Sequence, residues 1–322
     1  MSWIKDFFGK NFKFYAAYLL IILFLIFLIF EILIRSMTFS TGAGIGSASE
    51  RWNNRYWKPI NELGYRDFDI LVNDKRKSVI FLGDSFTAGQ GVKFDQTFYY
   101  LISKSLDKHL KTINLGQSGT STNDQIENLS QLNDQINPKI DTLVIQYFGN
   151  DIEDYAQIKP VNKNIFRRFF SKLSELYSFF DSLYIAKKWN QDYMDSLFLS
   201  YKNQNKMNLH LEEINRLFSI ARKKDSRIIF LTFPFLNNNS NLEKSKIYIS
   251  QLKDNFKEIC KKGDFFVDIS HIARKFKTNE RVVNFLDAHP SPELHSETAL
   301  ILLSILNNKK RGIEEIALEC KK

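Results

Sequence analysis

Cysteine is almost missing from this 322-residue chain, with only Cys260 and Cys320 present. Two cysteines so far apart exclude a zinc site and a thiol redox pair, and leave open one disulfide or two free thiols. Metal and nucleotide signatures are missing as well: there is no His-Glu-x-x-His stretch and no Walker loop. Proline and glycine are sparse, at 6 and 13 residues, which excludes a collagen-like chain. Charge of one sign is not segregated. The 45 Lys+Arg outnumber the 36 Asp+Glu for a net charge of +9, yet the two signs are interleaved along the chain. Such interleaving describes a solvated surface and gives no reason to expect a nucleic acid partner. Long apolar runs are scarce too, with a single one near the N-terminus, which excludes a multi-span channel. What remains is 44% hydrophobic and 14% aromatic residues, ample for a core and incompatible with disorder. The length suits one large domain or two small ones.

Phe14 to Phe30 is apolar and uncharged without a break, and Ile32-Leu33-Ile34 carries the run past Glu31. As a helix, Phe14–Ile34 reaches roughly 30 Å, the thickness of a bilayer hydrocarbon core. A secretory signal has a shorter apolar region closed by a small-residue site, whereas Arg35-Ser36-Met37 follows here. The run therefore reads as an uncleaved anchor. Lys5, Lys10 and Lys13 precede it, while Ser36 to Glu50 holds no lysine or arginine. The positive-inside rule then keeps the N-terminus in the cytoplasm and sends the remainder outside. Thr41-Gly42-Ala43-Gly44-Ile45-Gly46-Ser47 reads as a flexible tether. No strand precedes its glycines, so it is not a dinucleotide loop.

Beyond the tether, Ser78–Leu82, Lys111–Leu115, Asp141–Phe148, Arg227–Phe233 and Phe265–Ile269 have the pattern of short buried strands. Helical stretches alternate with them, over Thr97–Leu110, from about Asn123, and over Met207–Arg222 and Ser245–Cys260. That alternation implies an α/β fold, a parallel sheet with helices on both faces, whose chemistry gathers at the carboxyl ends of the strands. Tyr155–Asn205 breaks the rhythm. It is rich in aromatic and basic residues, and reads as a helical insertion after the third strand. Either it is a lid or membrane-surface patch, or it is an extra helical layer on the sheet. Asn307–Lys322 reads as a charged, helix-like tail.

Four strand ends carry chemistry. The first strand runs into Gly83-Asp84-Ser85, which exposes a serine hydroxyl beside the N–H groups of a helix start. The second ends in Asn114-Leu115-Gly116-Gln117-Ser118-Gly119, where glycine lets a backbone N–H approach a ligand. The third ends in Gly149-Asn150-Asp151, which offers a side-chain amide. Asp287-Ala288-His289-Pro290, before the last helix, supplies a base with a carboxylate close by. Singly, each has a plainer reading as a cap or a turn. Together they provide a nucleophile, a base, an orienting acid and two further oxyanion donors at one sheet edge. His295 falls at the start of the last helix, where a partly exposed helix residue is expected. His109 is expected at a basic helix end.

These blocks, in this order, resemble the SGNH/GDSL hydrolase family. The resemblance implies Ser85 as nucleophile, Asp287 and His289 as acid and base, and an oxyanion hole of Ser85, Gly119 and Asn150. It implies a three-layer α/β/α sandwich with a mainly parallel, flavodoxin-like sheet, here behind one transmembrane helix, and esterase or acyltransferase chemistry without metal or cofactor. Glu62-Leu63-Gly64-Tyr65-Arg66 and the Gly-Asp-Ser-Phe-Thr opening resemble a bacterial subgroup with one N-terminal membrane helix. The expected layout is a cytoplasmic N-terminus (1–13), a transmembrane helix (14–35), a flexible linker (36–50) and a hydrolase domain (51–322) with its insertion at about 155–205. The domain would face the periplasm or the exterior of a bacterial inner membrane and act on an acyl ester of the cell envelope, carbohydrate or lipid. Two departures stand out. The commonest last block has two residues between Asp and His, whereas Ala288 alone separates Asp287 from His289, and Ser291 stands where Asn is usual. The Gly-x-Ser-x-Gly elbow is absent, so the α/β-hydrolase superfamily is not the match. The alternative is a catalytically inactive binding or assembly protein of the envelope with this fold. It would be expected to lose one of the four chemical positions, and none is lost.

Overall fold

The computed structural model describes residues 2–42, 46–70, 74–156, 165–308 and 313–322, with side chains except at 2–13 and 185–191. The middle of the expected tether, 43–45, and the start of the insertion, 157–164, thus lie outside the described residues, as do the side chains of Lys5, Lys10 and Lys13. In chain order the elements are α1 (Ser2–Ser36), α2 (Ser47–Tyr56), β1 (Lys77–Gly83), α3 (Ser85–Ala88), α4 (Phe98–Ser105), β2 (Leu110–Gly116), α5 (Thr122–Gln135) and β3 (Ile140–Tyr147). Then come α6 (Ile165–Leu173), α7 (Glu175–Lys202), α8 (Gln204–Lys223), β4 (Arg227–Thr232), α9 (Asn239–Lys244), α10 (Lys246–Ile259) and β5 (Phe265–Asp268). The chain ends with α11 (Ser270–Ala273), α12 (Thr278–Arg281), β6 (Val282–Asn284), β7 (Asp287–Pro290), α13 (Pro292–Leu306) and β8 (Ala317–Glu319).

Among the described residues six strands form one sheet in the order β2-β1-β3-β4-β5-β8. The first five are parallel, and β8 closes the edge antiparallel, pairing Phe265 with Glu319 and Val267 with Ala317. All five expected strands are there, and the sixth lies in the tail that was expected to be helix-like: Ala317–Glu319 is extended along β5. Strands buried on both faces read as unbroken apolar runs, and the period of two sorts them. Ile80, Leu82, Leu143, Ile145, Ile228 and Phe230 enter one apolar cluster with α5, α8 and α10, and Val79, Phe81, Val144, Ile229 and Leu231 enter another with α4 and α13. Helices thus flank the sheet on both sides. β6 and β7 pair separately as a short antiparallel hairpin, with Asn284 opposite Asp287.

The N-terminal helix α1 holds an apolar stretch, Phe14–Ser36, long enough to cross a membrane. The stretch after it is not free chain along its length. Ser47–Tyr56 is helical, Trp52 is buried, and Ser40 is 1% exposed. Arg51 donates from its guanidinium to the carbonyl oxygens of Ile34 and Met37, which folds α2 back onto the end of α1. Within the insertion, Met194, Leu197, Phe198 and Tyr201 at the far end of α7 join the core, so that end is an extra layer on the sheet. Cys260, at the end of α10, and Cys320, just past β8, form a disulfide. It ties the antiparallel edge strand to a flanking helix.

Candidate active site

The carboxyl ends of β1, β2 and β3 lie level, with Gly83 opposite Gly116 and Leu82 opposite Ile145. Ser85 is the first residue of α3, immediately past β1. Asp84 caps that helix, its Oδ1 accepting from the N–H of Phe86 at 2.9 Å. The turn is pinned from β3 by Gln146, whose Oε1 accepts from Asp84 N at 3.1 Å and from Thr87 Oγ1 at 2.9 Å. From β2, Gln117 N donates to the carbonyl of Gly83 at 3.1 Å and brings the second block alongside. The loop beyond α3 is held by Arg66, buried, whose guanidinium donates to the carbonyls of Tyr56, Ala88, Gly89 and Val92.

His289 and Asp287 arrive on β7. In a strand, residues i and i+2 share a face, so one intervening residue suffices to set both on the side of Ser85. His289 Nε2 lies 2.7 Å from Ser85 Oγ, and His289 Nδ1 lies 2.5 Å from Asp287 Oδ1. The backbone N–H of His289 also donates to Asp287 Oδ1, at 3.1 Å. The imidazole packs edge-on against Phe86, which stacks on Phe148. Asp287 is fully buried, whereas the His289 side chain is 14% exposed. Ser291, in the place of the usual Asn, caps α13, its Oγ accepting from Leu294 N at 3.2 Å. Serine and asparagine are near-equals as caps, so this departure is absorbed locally.

Electrostatics follow from burial and from these contacts. Burial raises the Asp287 carboxyl, but the His289 charge and hydrogen bonds and the adjacent Ser40 hydroxyl more than offset it, leaving the pKa below the ordinary value. Burial works against a charged His289, yet the Asp287 and Asp84 charges prevail and its pKa lies above the ordinary histidine value. Asp84 and Asp151 are both pushed up by burial, and Asp151 further by the Asp84 charge. Asp151 closes the turn after β3, accepting from Phe148 N at 2.7 Å and Gln125 Nε2 at 2.8 Å.

The remaining expected residues fall as follows. Asn150 is in the turn after β3 with its side chain against the Asp84 carboxyl, which it helps hold down. Gly119 sits exposed in the turn after β2, at φ +80°. His295 is not partly exposed. It is wholly buried, its Nδ1 accepts from Phe98 N at 3.2 Å, and burial, Arg66 and His289 hold its pKa down at about 3. His109 lies exposed in the turn before β2 instead of on a helix end. Two contributors escape sequence reading. Gln146 looks like any polar residue in a strand. Tyr201, at the end of the insertion, donates to the carbonyl of Gly149 at 3.0 Å and so steadies the third block across a gap of 52 residues. Among the described residues no cluster of His, Cys, Asp and Glu could hold a metal ion.

A protein-family model described as GDSL-like Lipase/Acylhydrolase family matches residues 81–296. Among solved structures the chain is similar to a member of the lipolytic protein G-D-S-L family from Veillonella parvula, at 14% identity and TM-score 0.42, over 73% of this chain and 98% of that one. It is similar to an acetylxylan esterase from Geobacillus stearothermophilus, crystallised as a catalytic mutant, at 14% identity and TM-score 0.45, over 73% and 96%. A lipase/acylhydrolase from Enterococcus faecalis gives 14% identity and TM-score 0.43 over 72% and 96%. No curated protein matches the chain.

Proposed function

The chain belongs to the GDSL-like lipase/acylhydrolase family, and on that premise we propose that it is a membrane-anchored serine esterase that hydrolyses or transfers acyl groups outside the cytoplasm. The observation that carries this reading is the continuous line from Ser85 Oγ through the His289 ring to Asp287, at 2.7 and 2.5 Å. In the mechanism it supports, Nδ1–H of His289 donates to Asp287, and Nε2 takes the proton of Ser85 as Oγ bonds to the ester carbonyl carbon. The oxyanion is met by the N–H groups of Ser85 and Gly119 and by the Asn150 amide. Collapse expels the alcohol, which leaves with the proton held on Nε2. Water, or an acceptor alcohol, then gives its proton to Nε2 and attacks the acyl-serine, freeing Ser85. Hydrolysis and transfer use the same residues.

The proposed layout keeps residues 1–13 in the cytoplasm, crosses a bacterial inner membrane once through about 14–35, and exposes 51–322 to the periplasm or exterior, in the manner of the subgroup with one N-terminal membrane helix. The Cys260–Cys320 disulfide supports that side, since disulfides persist in oxidising compartments. The substrate class that fits the location is an acyl ester of envelope carbohydrate or lipid. A fluorophosphonate probe tests the core of the reading. It should label Ser85, and Ser85→Ala should abolish both labelling and ester turnover. Labelling elsewhere, or undiminished turnover in the variant, would overturn it.

A further inference from the structure

The helix α6 is built inside out. At 100° per residue, Ile165, Phe166, Phe169, Phe170 and Leu173 fall within one arc of about 140°. All five are exposed, at 77, 69, 57, 47 and 57%. The partly buried positions are Arg167 and Ser171, one turn apart on the opposite side. Arg167 is bonded to Asp181 of α7, and its guanidinium lies over the Tyr184 ring at 5.0 Å. A helix on a water-facing surface does the reverse, turning its apolar stripe inward. Here the polar edge packs on the protein and the apolar face is offered outward.

The position of α6 says what covers that face. Its last carbonyl, that of Leu173, accepts from Arg35 of α1 at 3.4 Å. At the junction with α7, the Glu31 carboxylate of α1 accepts from Ser174 Oγ, Glu175 N and Leu176 N at 2.8, 2.9 and 3.0 Å. Glu31 precedes the end of the apolar stretch at Ser36 by five residues, about 7.5 Å along a helix. The junction therefore meets α1 just inside the outer limit of its span, at the depth where interfacial helices lie, about 5–10 Å into the headgroup and acyl boundary. Arg168 and Lys172 are exposed on the other flank, as cations facing lipid phosphates would be.

We propose that α6 lies in the outer interface of the same bilayer that α1 crosses, with its five apolar side chains in the acyl boundary. The inference rests on α1 spanning that bilayer, and it goes beyond the esterase reading. The chain would hold the membrane at two places. Because the other end of α7 carries Tyr201 to Gly149, the active site would be kept close to the lipid surface.

The test uses the full chain reconstituted in vesicles of phosphatidylethanolamine and phosphatidylglycerol. Both native cysteines are in the disulfide, so single cysteines at Phe166→Cys, Phe169→Cys, Arg168→Cys and Leu25→Cys can each carry an environment-sensitive fluorophore. Fluorophosphonate labelling of each variant at the wild-type level certifies its fold. Phospholipids brominated near the headgroup should quench the labels at 166 and 169 several-fold more than the label at 168. Chain-end brominated lipids should quench the label at 25, which gauges insertion of α1. Quenching at 25 with none at 166 and 169 would overturn the proposal and leave the anchor standing. Quenching at none of them would overturn both, with the esterase reading still judged by its own label. Cross-linking between copies through Phe169→Cys, without lipid quenching, would assign the face to a second copy and likewise overturn it.

Discussion

In the proposed mechanism His289 is the residue on which the chemistry and the pH response both turn. As general base it must be neutral, while burial is outweighed by the Asp287 and Asp84 charges, which favour its protonated form. The acid limb of kcat/KM against pH should therefore have its midpoint above about 6.5. Asp287→Asn should move that midpoint down and lower kcat by roughly 10⁴-fold, since the correct tautomer is lost with the acceptor. A profile centred at or below the ordinary histidine value would contradict the pairing. Stability carries the same signature with opposite limbs. The raised His289 contributes stability that is present below its ordinary pKa and lost as pH rises through the raised one. The lowered Asp287 contributes stability that is present above its ordinary pKa and lost as pH falls through the lowered one. Asn150 gives a second check. If its amide meets the oxyanion, Asn150→Ala should cost about 10²–10³ in kcat with KM little changed, and a loss confined to thermal stability would leave it only a turn residue. The meeting of Ser85, His289 and Asp287 was legible because residue type and block order carry it. Gln146 and the burial of His295 were not, because each is defined by a neighbour far away in sequence.

Elements show the same division. The strand β7 converts Asp-Ala-His into two groups on one face, so the one-residue spacing suits a strand, and the sequence alone did not reveal the β6–β7 hairpin. The five parallel strands were legible as apolar runs between turn signals. The three residues of β8 were not, since so short an edge strand is decided by its partner and not by its own propensity. Beside its pairing with β5, the disulfide one residue on ties it down, with a sequence separation of 60. A loop of that length corresponds to about 4 kcal/mol in the chain-entropy model, and measured values centre on about 2–4 kcal/mol. The double variant Cys260→Ser/Cys320→Ser should accordingly lose about 2–4 kcal/mol in denaturant unfolding, and wild-type protein under reductant should match it. An unchanged midpoint under full reduction would show that β8 is held by its backbone pairing alone. The insertion divides in two, with the end of α7 packed as a layer and α6 left outside, and a single reading of the whole segment misses one half.

At the scale of the molecule, the anchor and the site are joined by the segment expected to be a tether. Its glycines suggested free chain, but Ser40 and Gly42 are engaged with residues some 244 positions away, a relation no local pattern carries. Asn284 Nδ2 donates to the carbonyl of Ser40 at 2.9 Å, and the Ser40 hydroxyl helps hold the Asp287 carboxyl low. Gly42 lies against the same carboxylate at φ +70°, where a methyl group would come within 3.1 Å of Oδ1. Gly91 approaches it from another side, with a methyl group there only 2.7 Å from Oδ2. The Asp287 carboxylate is thus covered by the segment that follows α1, and in the proposed mechanism that segment belongs to the catalytic unit. A form beginning at Ser47 keeps Ser85, His289 and Asp287 but lacks that cover, whereas a form beginning at Met37 keeps both. On a water-soluble aryl ester, the form from Met37 should match the full chain, while the form from Ser47 should lose kcat by roughly 10- to 100-fold at similar KM, the scale of an ångström-sized misplacement. Gly42→Ala in the full chain should fall the same way, because the added methyl presses on Asp287 from a backbone angle that L residues avoid. Equal kcat for the two truncated forms, together with a fully active Gly42→Ala, would return the segment to the role of a tether.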